Sequence, residues 1–216
     1  MEKQSDIWFE KEGDNWFTRN KEYLGKKNDT ALFVLDLYRI KPQKVLEIGC
    51  SNGFRLAAIH EKYGSVVSGV EPSVEALADG KKRYPHVKYI RGMAESFCSD
   101  EKYDLIIVNF VFHWIGRDAL LKAVSNADSH LTEGGFLLLG DFGTENFLRR
   151  NYHHVKDKEM YTYKQRYQDM FVSSGSYREI ARLTFNHDLN ELSADTDSSN
   201  IGTMCLLKKI PLYTDV

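Results

Sequence analysis

Short apolar runs alternate with amphipathic segments through the middle of the chain, and this alternation restricts the fold more than any other feature. The predicted strands are Lys44–Ile48, Val66–Val70, Val87–Arg91, Tyr103–Asn109 and Phe136–Gly140. The predicted helices between them are Phe54–Tyr63, Ser73–Arg83 and Arg117–Leu131. Continuous apolar runs such as Leu105–Val108 are typical of strands buried on both faces. The pattern therefore predicts a mainly parallel sheet covered by helices on both sides.

The segments on either side of this series complete the predicted architecture. Helical spacing of apolar residues precedes the first strand, in Asp6–Glu12, Asp14–Leu24 and Thr30–Ile40. Two further strands, Tyr177–Phe185 and Ile201–Ile210, are separated by a polar stretch. We predict an α/β fold, a Rossmann-like three-layer sandwich around a mainly parallel seven-stranded sheet whose last strand is antiparallel, with additional N-terminal helices.

Composition excludes several classes of function. A chain of 216 residues suits one compact domain. Its net charge of −2 gives no general attraction to nucleic acid or to a membrane. No apolar run approaches the roughly 18 residues of a membrane span, and the first residues lack a signal-peptide pattern, so a cytoplasmic location is expected. Cys50, Cys98 and Cys205 are too few and too scattered for a disulfide framework or a zinc site, and we expect reduced thiols.

A glycine-containing loop, Glu47-Ile48-Gly49-Cys50-Ser51-Asn52-Gly53, follows the first predicted strand. In open α/β sheets such loops at the carboxyl ends of strands bind ligands, and glycines let the backbone turn tightly and approach them. A dinucleotide-binding loop needs G-x-G-x-x-G. Here Ser51 and Phe54 occupy the second and third glycine positions, which argues against a nicotinamide cofactor.

The segment Val45–Gly53 resembles the first motif of class I S-adenosylmethionine-dependent methyltransferases, an acidic residue followed by G-x-G-x-G, with Ser51 in place of the middle glycine. The resemblance implies that the loop wraps the methionine part of the cofactor and that Glu47 orients its ammonium group. The loop residues expected to bind the cofactor are Gly49, Cys50, Ser51, Asn52 and Gly53.

Three later segments match further motifs of this family in order. Glu71 and Pro72 follow the second strand, where a carboxylate accepts the ribose hydroxyls; the alternative is a solvent-exposed acid at a helix start. After the third strand come Gly92, Met93, Ala94 and Glu95, the segment expected along adenine, although Met93 suits core packing almost equally. After the fourth strand come Asn109, Phe110, Val111 and Trp114, where cofactor and acceptor are expected to meet.

Within the family, the fourth motif separates classes of acceptor. Methyltransferases of DNA bases or protein glutamine carry Asn/Asp-Pro-Pro-Tyr/Phe there, and this chain lacks both prolines. We therefore expect a small-molecule acceptor and no nucleic-acid partner. The aromatic N-terminal helices suit a cap over the cofactor, with Trp16 and Arg19 as contacts, or equally a packing layer on the sheet edge. Clustered acids for a metal are missing, since Asp141 stands alone, so no metal is expected.

The polar stretch Asn146–Phe171 is the expected cover of the acceptor. Its candidate substrate-binding residues are Tyr152, Tyr161, Tyr163 and Lys164. A hydroxyl acceptor needs a base, for which His153 or His154 and the rival His113 are candidates. We expect one domain over 1–216, comprising a helical cap (1–40), a cofactor-binding core (41–141), a substrate lid (142–176) and terminal strands (177–216).

Together with the aromatic N-terminal helices, this stretch resembles small bacterial methyltransferases that modify surface polysaccharides or natural-product precursors. The leading hypothesis is O-methylation of a sugar-like or phosphate-bearing metabolite. N-methylation of a small amine or amino sugar and non-catalytic binding of S-adenosylmethionine remain alternatives. A monomer and a homodimer are both compatible with the sequence.

Overall fold

The computed structural model describes residues 3–26, 28–189, 191–194 and 200–211, and these contain one eight-stranded sheet and one separate hairpin. The strands are β1 (Lys44–Ile48), β2 (Val66–Glu71), β3 (Lys88–Arg91), β4 (Tyr103–Asn109), β5 (Leu131–Phe142), β6 (Leu148–Asn151), β7 (Tyr161–Lys164), β8 (Tyr177–Asn186), β9 (Glu191–Leu192) and β10 (Ile201–Lys209). The helices are α1 (Gln4–Ile7), α2 (Gly13–Asn20), α3 (Thr30–Leu37), α4 (Phe54–Tyr63), α5 (Val74–Arg83), α6 (Leu120–His130) and α7 (Gln168–Val172). No helix of this described part is long and apolar enough to cross a membrane.

The large sheet has the order β3-β2-β1-β4-β5-β10-β8-β9. Strands β1 to β5 pair in parallel, whereas β10 runs antiparallel to both of its neighbours, β5 and β8. The predicted fold, including the antiparallel last strand, is confirmed. One strand exceeds the prediction: the two-residue β9 pairs with β8 at the sheet edge. Its sequence is too short and polar to show a strand pattern.

Alternate residues of the central strands enter opposite hydrophobic clusters, which explains the continuous apolar runs. Leu46 and Ile106 lie in a cluster with α6 and α7, whereas Val45 and Ile107 lie in a cluster with α3 and α4. All four side chains are fully buried. The sheet is therefore the middle of three layers, as predicted.

The N-terminal segment is one nearly continuous helical run rather than two separate helices, because a π-helical turn at Trp8–Glu12 joins α1 to α2. Asp14 fastens this run to the start of α5: its Oδ1 accepts hydrogen bonds from the Ser73 hydroxyl at 2.6 Å and from the Glu75 N–H at 3.1 Å. Capping of one helix by another thus places α2 over the carboxyl ends of β1 and β2.

The predicted lid contains the hairpin β6–β7 and the short helix α7. Gln4 of α1 joins the hairpin as an extra strand would, since its amide accepts from the Tyr161 N–H at 3.0 Å and donates to the Tyr161 carbonyl at 2.8 Å. Tyr152 and Met160 are buried against Trp8. The N-terminal helices and the hairpin therefore form one covering layer above the sheet edge.

Candidate active site

The loop between β1 and α4 turns through three residues of positive φ: Gly49 at 75°, Ser51 at 52° and Gly53 at 80°. Left-handed backbone favours glycine, and Ser51 adopts it in the position where the family motif has its middle glycine. A Cβ at Gly49 would overlap a methyl group of Val111. This loop consequently lies directly against the segment that follows β4.

Tyr89 of β3 supports the loop from below. Its hydroxyl donates to the Asn52 carbonyl at 2.9 Å, and a Cβ at Gly53 would come within 2.7 Å of that hydroxyl oxygen. The Asn52 amide donates to Asp79 of α5 at 2.8 Å. Asn52 and Gly53, both predicted to bind the cofactor, therefore hold the shape of the loop and do not line the cavity beside it.

Glu71 at the end of β2 is 9% exposed and accepts two backbone hydrogen bonds, from Ser51 at 2.9 Å and from Ser73 at 3.0 Å. Each carboxylate oxygen accepts one of them, which leaves one lone pair per oxygen for a ligand. Burial raises the pKa of Glu71 from its ordinary 4.5 to about 7, and the two hydrogen bonds oppose that shift.

Glu47 of β1 is buried at 1% exposure and is ion-paired with Arg55 of α4. The same guanidinium binds Asp29, the N-cap of α3, at 2.7 Å. Burial raises the pKa of Glu47 to about 7, while the charge of Arg55 lowers it. Within the described residues, Oε2 of Glu47 has no hydrogen-bond partner, so this oxygen is available to a cationic ligand.

A cavity of about 350 Å³ opens between the sheet edge and the N-terminal helices. Most residues predicted to bind the cofactor line it: Trp16, Glu47, Gly49, Cys50, Ser51, Glu71, Pro72, Gly92, Met93, Ala94, Glu95, Asn109, Phe110, Val111 and Trp114. Oε2 of Glu95 is a second buried oxygen without a partner in the described part of the chain. We name this space the cofactor cavity.

A second cavity of about 380 Å³ adjoins the first, and Trp16 and Trp114 line both. It contains the predicted base candidates and two of the predicted substrate-binding residues: His113, His153, His154, Tyr152 and Lys164. Arg19, predicted to contact the cofactor, lines this second cavity instead. We name it the acceptor cavity.

Tyr161 and Tyr163 line neither cavity, and strand geometry gives the reason. Side chains of a strand alternate between its two faces, so the pair at 161 and 163 lies opposite the face that carries Thr162 and Lys164. Arg149 stacks over the Tyr161 ring at 4.5 Å, and Arg117 over the Tyr163 ring at 4.0 Å. The sequence prediction did not separate the two faces of a hairpin that it had not identified.

His113 is buried at 2% exposure in the turn after β4, and it has a carboxylate behind it. Its Nδ1 lies 3.1 Å from Oδ1 of Asp141, although the ring is not aligned for a hydrogen bond, and its backbone N–H donates to Oδ2 at 3.2 Å. Asp141 is itself 3% exposed. The pair places an imidazole in the wall of the acceptor cavity with a buried carboxyl group beside it.

His153 and His154 lie at the exposed rim of the same cavity. Their rings are 4.0 Å apart, and that of His154 is 5.2 Å from the Tyr152 ring. Desolvation, followed by the positive charge of Arg19, lowers the pKa of His154. The side chains of His153 and His154 are exposed to solvent, whereas that of His113 is buried.

Known proteins share both the sequence motifs and the fold. A family described as a methyltransferase domain matches residues 45–135. An uncharacterized methyltransferase of Alkaliphilus oremlandii is 26% identical over 195 residues, covering 82% of this chain and 90% of that protein. The malonyl-(acyl-carrier protein) O-methyltransferase of Bacillus anthracis is 26% identical over 145 residues, covering 65% of this chain and 53% of the relative, so the chain spans about half of its length.

Among solved structures, N-methyltransferase NodS of Bradyrhizobium japonicum in complex with S-adenosyl-L-homocysteine matches with a TM-score of 0.60 at 16% identity, over 83% of this chain and 84% of that one. Residues 45–135 therefore match a methyltransferase domain, and the chain is similar in sequence and fold to class I S-adenosylmethionine-dependent methyltransferases. The S-adenosyl-L-homocysteine bound in that structure is consistent with S-adenosylmethionine as the predicted cofactor of this chain.

The cofactor cavity of the methyltransferase has the size and the chemistry that this cofactor requires. Its volume lies within the range of small-molecule sites. Glu71 has a free lone pair on each oxygen, which suits a pair of ribose hydroxyls, and the unpartnered Oε2 of Glu47 suits an ammonium group. Gly49, which has no Cβ, lets Val111 pack directly against the loop at the edge of this cavity.

Several residues that form the sites of the methyltransferase were absent from the sequence prediction. Arg55 neutralises Glu47 and also pairs with Asp29, and Asp141, which the sequence offered only as an isolated metal ligand, lies beside His113. Leu24 is a further wall of the cofactor cavity, and Trp8, one of the aromatic residues expected in the N-terminal cap, lines it as well. The described residues contain no group of three His, Cys, Asp or Glu side chains placed to hold a metal ion.

Proposed function

We propose that the methyltransferase transfers the methyl group of S-adenosylmethionine to a hydroxyl oxygen of a small molecule bound in the acceptor cavity, with His113 as general base. The observation that carries the proposal is the His113–Asp141 pair in a cavity that shares a wall with the cofactor cavity. The sulfonium of the cofactor supplies an electrophilic methyl carbon. The protein supplies alignment, exclusion of water and acceptance of a proton.

Three carboxyl groups would hold the cofactor. Glu71 would accept the two ribose hydroxyls through its free lone pairs, and Glu47 would accept the ammonium group through Oε2. Glu95 would accept a hydrogen bond from the adenine amino group through its unpartnered oxygen in the segment after β3. Trp16 and Trp114, which line both cavities, would border the place where cofactor and acceptor meet.

The nature of the base favours an oxygen acceptor. A hydroxyl must lose its proton at or before attack, whereas a neutral amine needs less help. His113 Nδ1 lies 3.1 Å from Asp141, so Nε2 is the ring nitrogen that takes the proton in this proposal. Relatives named as an O-methyltransferase and as an N-methyltransferase are both known, so the distinction depends on this pair.

Methyl transfer from radiolabelled S-adenosylmethionine to phosphorylated sugars, nucleotide-linked sugars and hydroxy acids tests the proposal. With an acceptor that turns over, His113→Gln is expected to lower kcat by about 10²–10⁴-fold while S-adenosylhomocysteine affinity is retained. His153→Gln and His154→Gln are the matched controls and should retain most activity. Full activity of His113→Gln, or methylation of amines alone, would contradict the proposal.

A further inference from the structure

We infer that one face of the β6–β7 hairpin, formed by Arg150, Thr162 and Lys164, binds an oxyanion of the acceptor, a carboxylate or a phosphate. This inference deepens the proposed function, since it concerns the same acceptor cavity, and it names the substrate class as a hydroxyl compound that also carries such an anion.

Strand pairing brings the three side chains to one face. Arg150 of β6 pairs directly with Thr162 of β7, and Lys164 lies two residues further along β7, on the same side. All three line the acceptor cavity. Their neighbours Arg149 and Tyr163 pair with each other on the opposite face. The hairpin therefore presents a guanidinium, a hydroxyl and an ammonium group to the same space.

The charged side chains that line the acceptor cavity are all basic. Arg19, Arg150 and Lys164 line it together with three histidines, and its described lining includes no aspartate or glutamate. The whole chain has a net charge of −2, so this local excess is not a property of the protein as a whole. The nearest acids, Glu12 and Asp141, are buried behind the walls. A concave surface of one sign concentrates ligands of the other.

The three cations differ in how far protein groups neutralise them. Arg19 is paired with Glu12 at 2.5 Å and also donates to the Tyr152 hydroxyl at 2.8 Å. Lys164 is 6% exposed, lies 4.1 Å from the Phe142 ring and is stabilised at a distance by Asp141. The guanidinium of Arg150 has no ion-pair or side-chain hydrogen-bond partner in the described part of the chain. The uncompensated charge is thus that of Arg150.

Burial of Lys164 beside a second cation has an electrostatic cost that an anion would remove. Desolvation first, and then the charge of Arg150, lower the pKa of Lys164. An oxyanion between the two groups would favour the charged form of Lys164 and accept the two parallel donors of the guanidinium. Because His113 lines the same cavity, an acceptor held by its anion at the hairpin has its other end confined beside the base.

Calorimetric titration of inorganic phosphate and of malonate into the protein saturated with S-adenosylhomocysteine tests the inference and separates phosphate from carboxylate. At least one anion is expected to bind with a Kd below about 10 mM. Arg150→Gln and Lys164→Met should each weaken this binding at least about tenfold. Arg149→Gln is the matched control, because it removes an equally exposed arginine from the other face, and it should change the Kd less than about twofold.

Absence of binding by both anions, or an equal loss in Arg149→Gln and Arg150→Gln, would overturn the inference. Affinity for S-adenosylhomocysteine should be unchanged in all three variants, which shows that the fold is intact. This test does not depend on the identity of the base. If His113→Gln were fully active and the protein still bound the anion, the proposed base would be rejected and the anion site would be retained.

Discussion

The two cavities are built by different parts of the chain in different ways. The cofactor cavity depends on the ends of consecutive strands and on backbone groups, and its key hydrogen bond joins Ser51 to Glu71, 20 residues apart. The acceptor cavity is formed by side chains from segments that are far apart in the sequence. Its covering layer is tied by the Tyr152 hydroxyl, which donates to Glu12, 140 residues away, at 2.7 Å.

This difference indicates how the two halves divide the work. Backbone geometry and buried carboxylates shape the cofactor cavity, so substitutions of its residues should lower stability or cofactor affinity. Side-chain ties between the N-terminal helices and the hairpin can be altered without disturbing the sheet, so changes there should affect the acceptor alone. The following predictions test that division.

The largest expected effect is the loss of Arg55, the shared partner of Glu47 and Asp29. Arg55→Met leaves the buried Glu47 and the partly buried Asp29 without their cation, and the free energy of unfolding should fall by about 3–5 kcal/mol. Urea denaturation at pH 8 measures it. Arg83→Met is the control, since Arg83 pairs with Asp79 on an exposed helix surface and its loss should cost less than about 1 kcal/mol. Equal effects of the two changes would contradict a special role of the buried pair.

A smaller effect is expected at Glu71. Glu71→Gln removes the charge that would accept the ribose hydroxyls, so the affinity for S-adenosylmethionine, measured by calorimetry, should fall about tenfold or more. Glu75→Gln, an exposed acid on the adjoining helix, should leave the affinity unchanged. An unaltered Kd in Glu71→Gln would remove Glu71 from the cofactor site.

Most residues predicted to bind the cofactor line one cavity because local sequence patterns place them at the ends of consecutive strands. Continuous apolar strands, the glycines of the loop and an acid at the end of β2 each have a local physical reason, and most of them reach the cavity. Arg55 was missed because a buried ion pair has no periodic signature. Asn52 and Gly53 were misplaced because the hydroxyl of Tyr89, which holds the loop from below, lies 37 residues from Asn52.

The acceptor side was predicted only in outline. Tyr152 and Lys164 line the acceptor cavity, whereas Tyr161 and Tyr163 lie on the other face of the hairpin. The hairpin could not be predicted because its strands are only four residues long and lie in a polar stretch. Such strands take their register from Gln4 and from burial of Tyr152 against Trp8, not from their own composition. Asp141 was considered only as a metal ligand because its contact with His113 depends on the pairing of β4 with β5.

Cofactor affinity should depend on pH. The pKa values of Glu47 and Glu71 are both raised to about 7, and the proposed contacts with the cofactor require their ionised forms, so affinity should rise from pH 6 to pH 8 and then level off. The free protein should behave oppositely: pKa values above the ordinary 4.5 mean stability that is lost as pH rises from about 4.5 to 7. Calorimetry across this range measures the affinity, and a flat profile would contradict both assignments. In Glu71→Gln, cofactor affinity should depend less steeply on pH, because only Glu47 then titrates.

The smallest expected effect is that of Tyr152→Phe, which removes only the hydroxyl between Glu12 and Arg19. The Glu12–Arg19 pair remains, so stability should fall by about 1 kcal/mol. A looser tie between α2 and the hairpin should raise the KM for the acceptor a few-fold and leave the Kd of S-adenosylhomocysteine within about twofold. Tyr161→Phe, on the opposite face of the hairpin, should change neither value. If Tyr152→Phe weakened binding of the cofactor as much as binding of the acceptor, the covering layer would contribute to both sites. The two cavities would then not be independent.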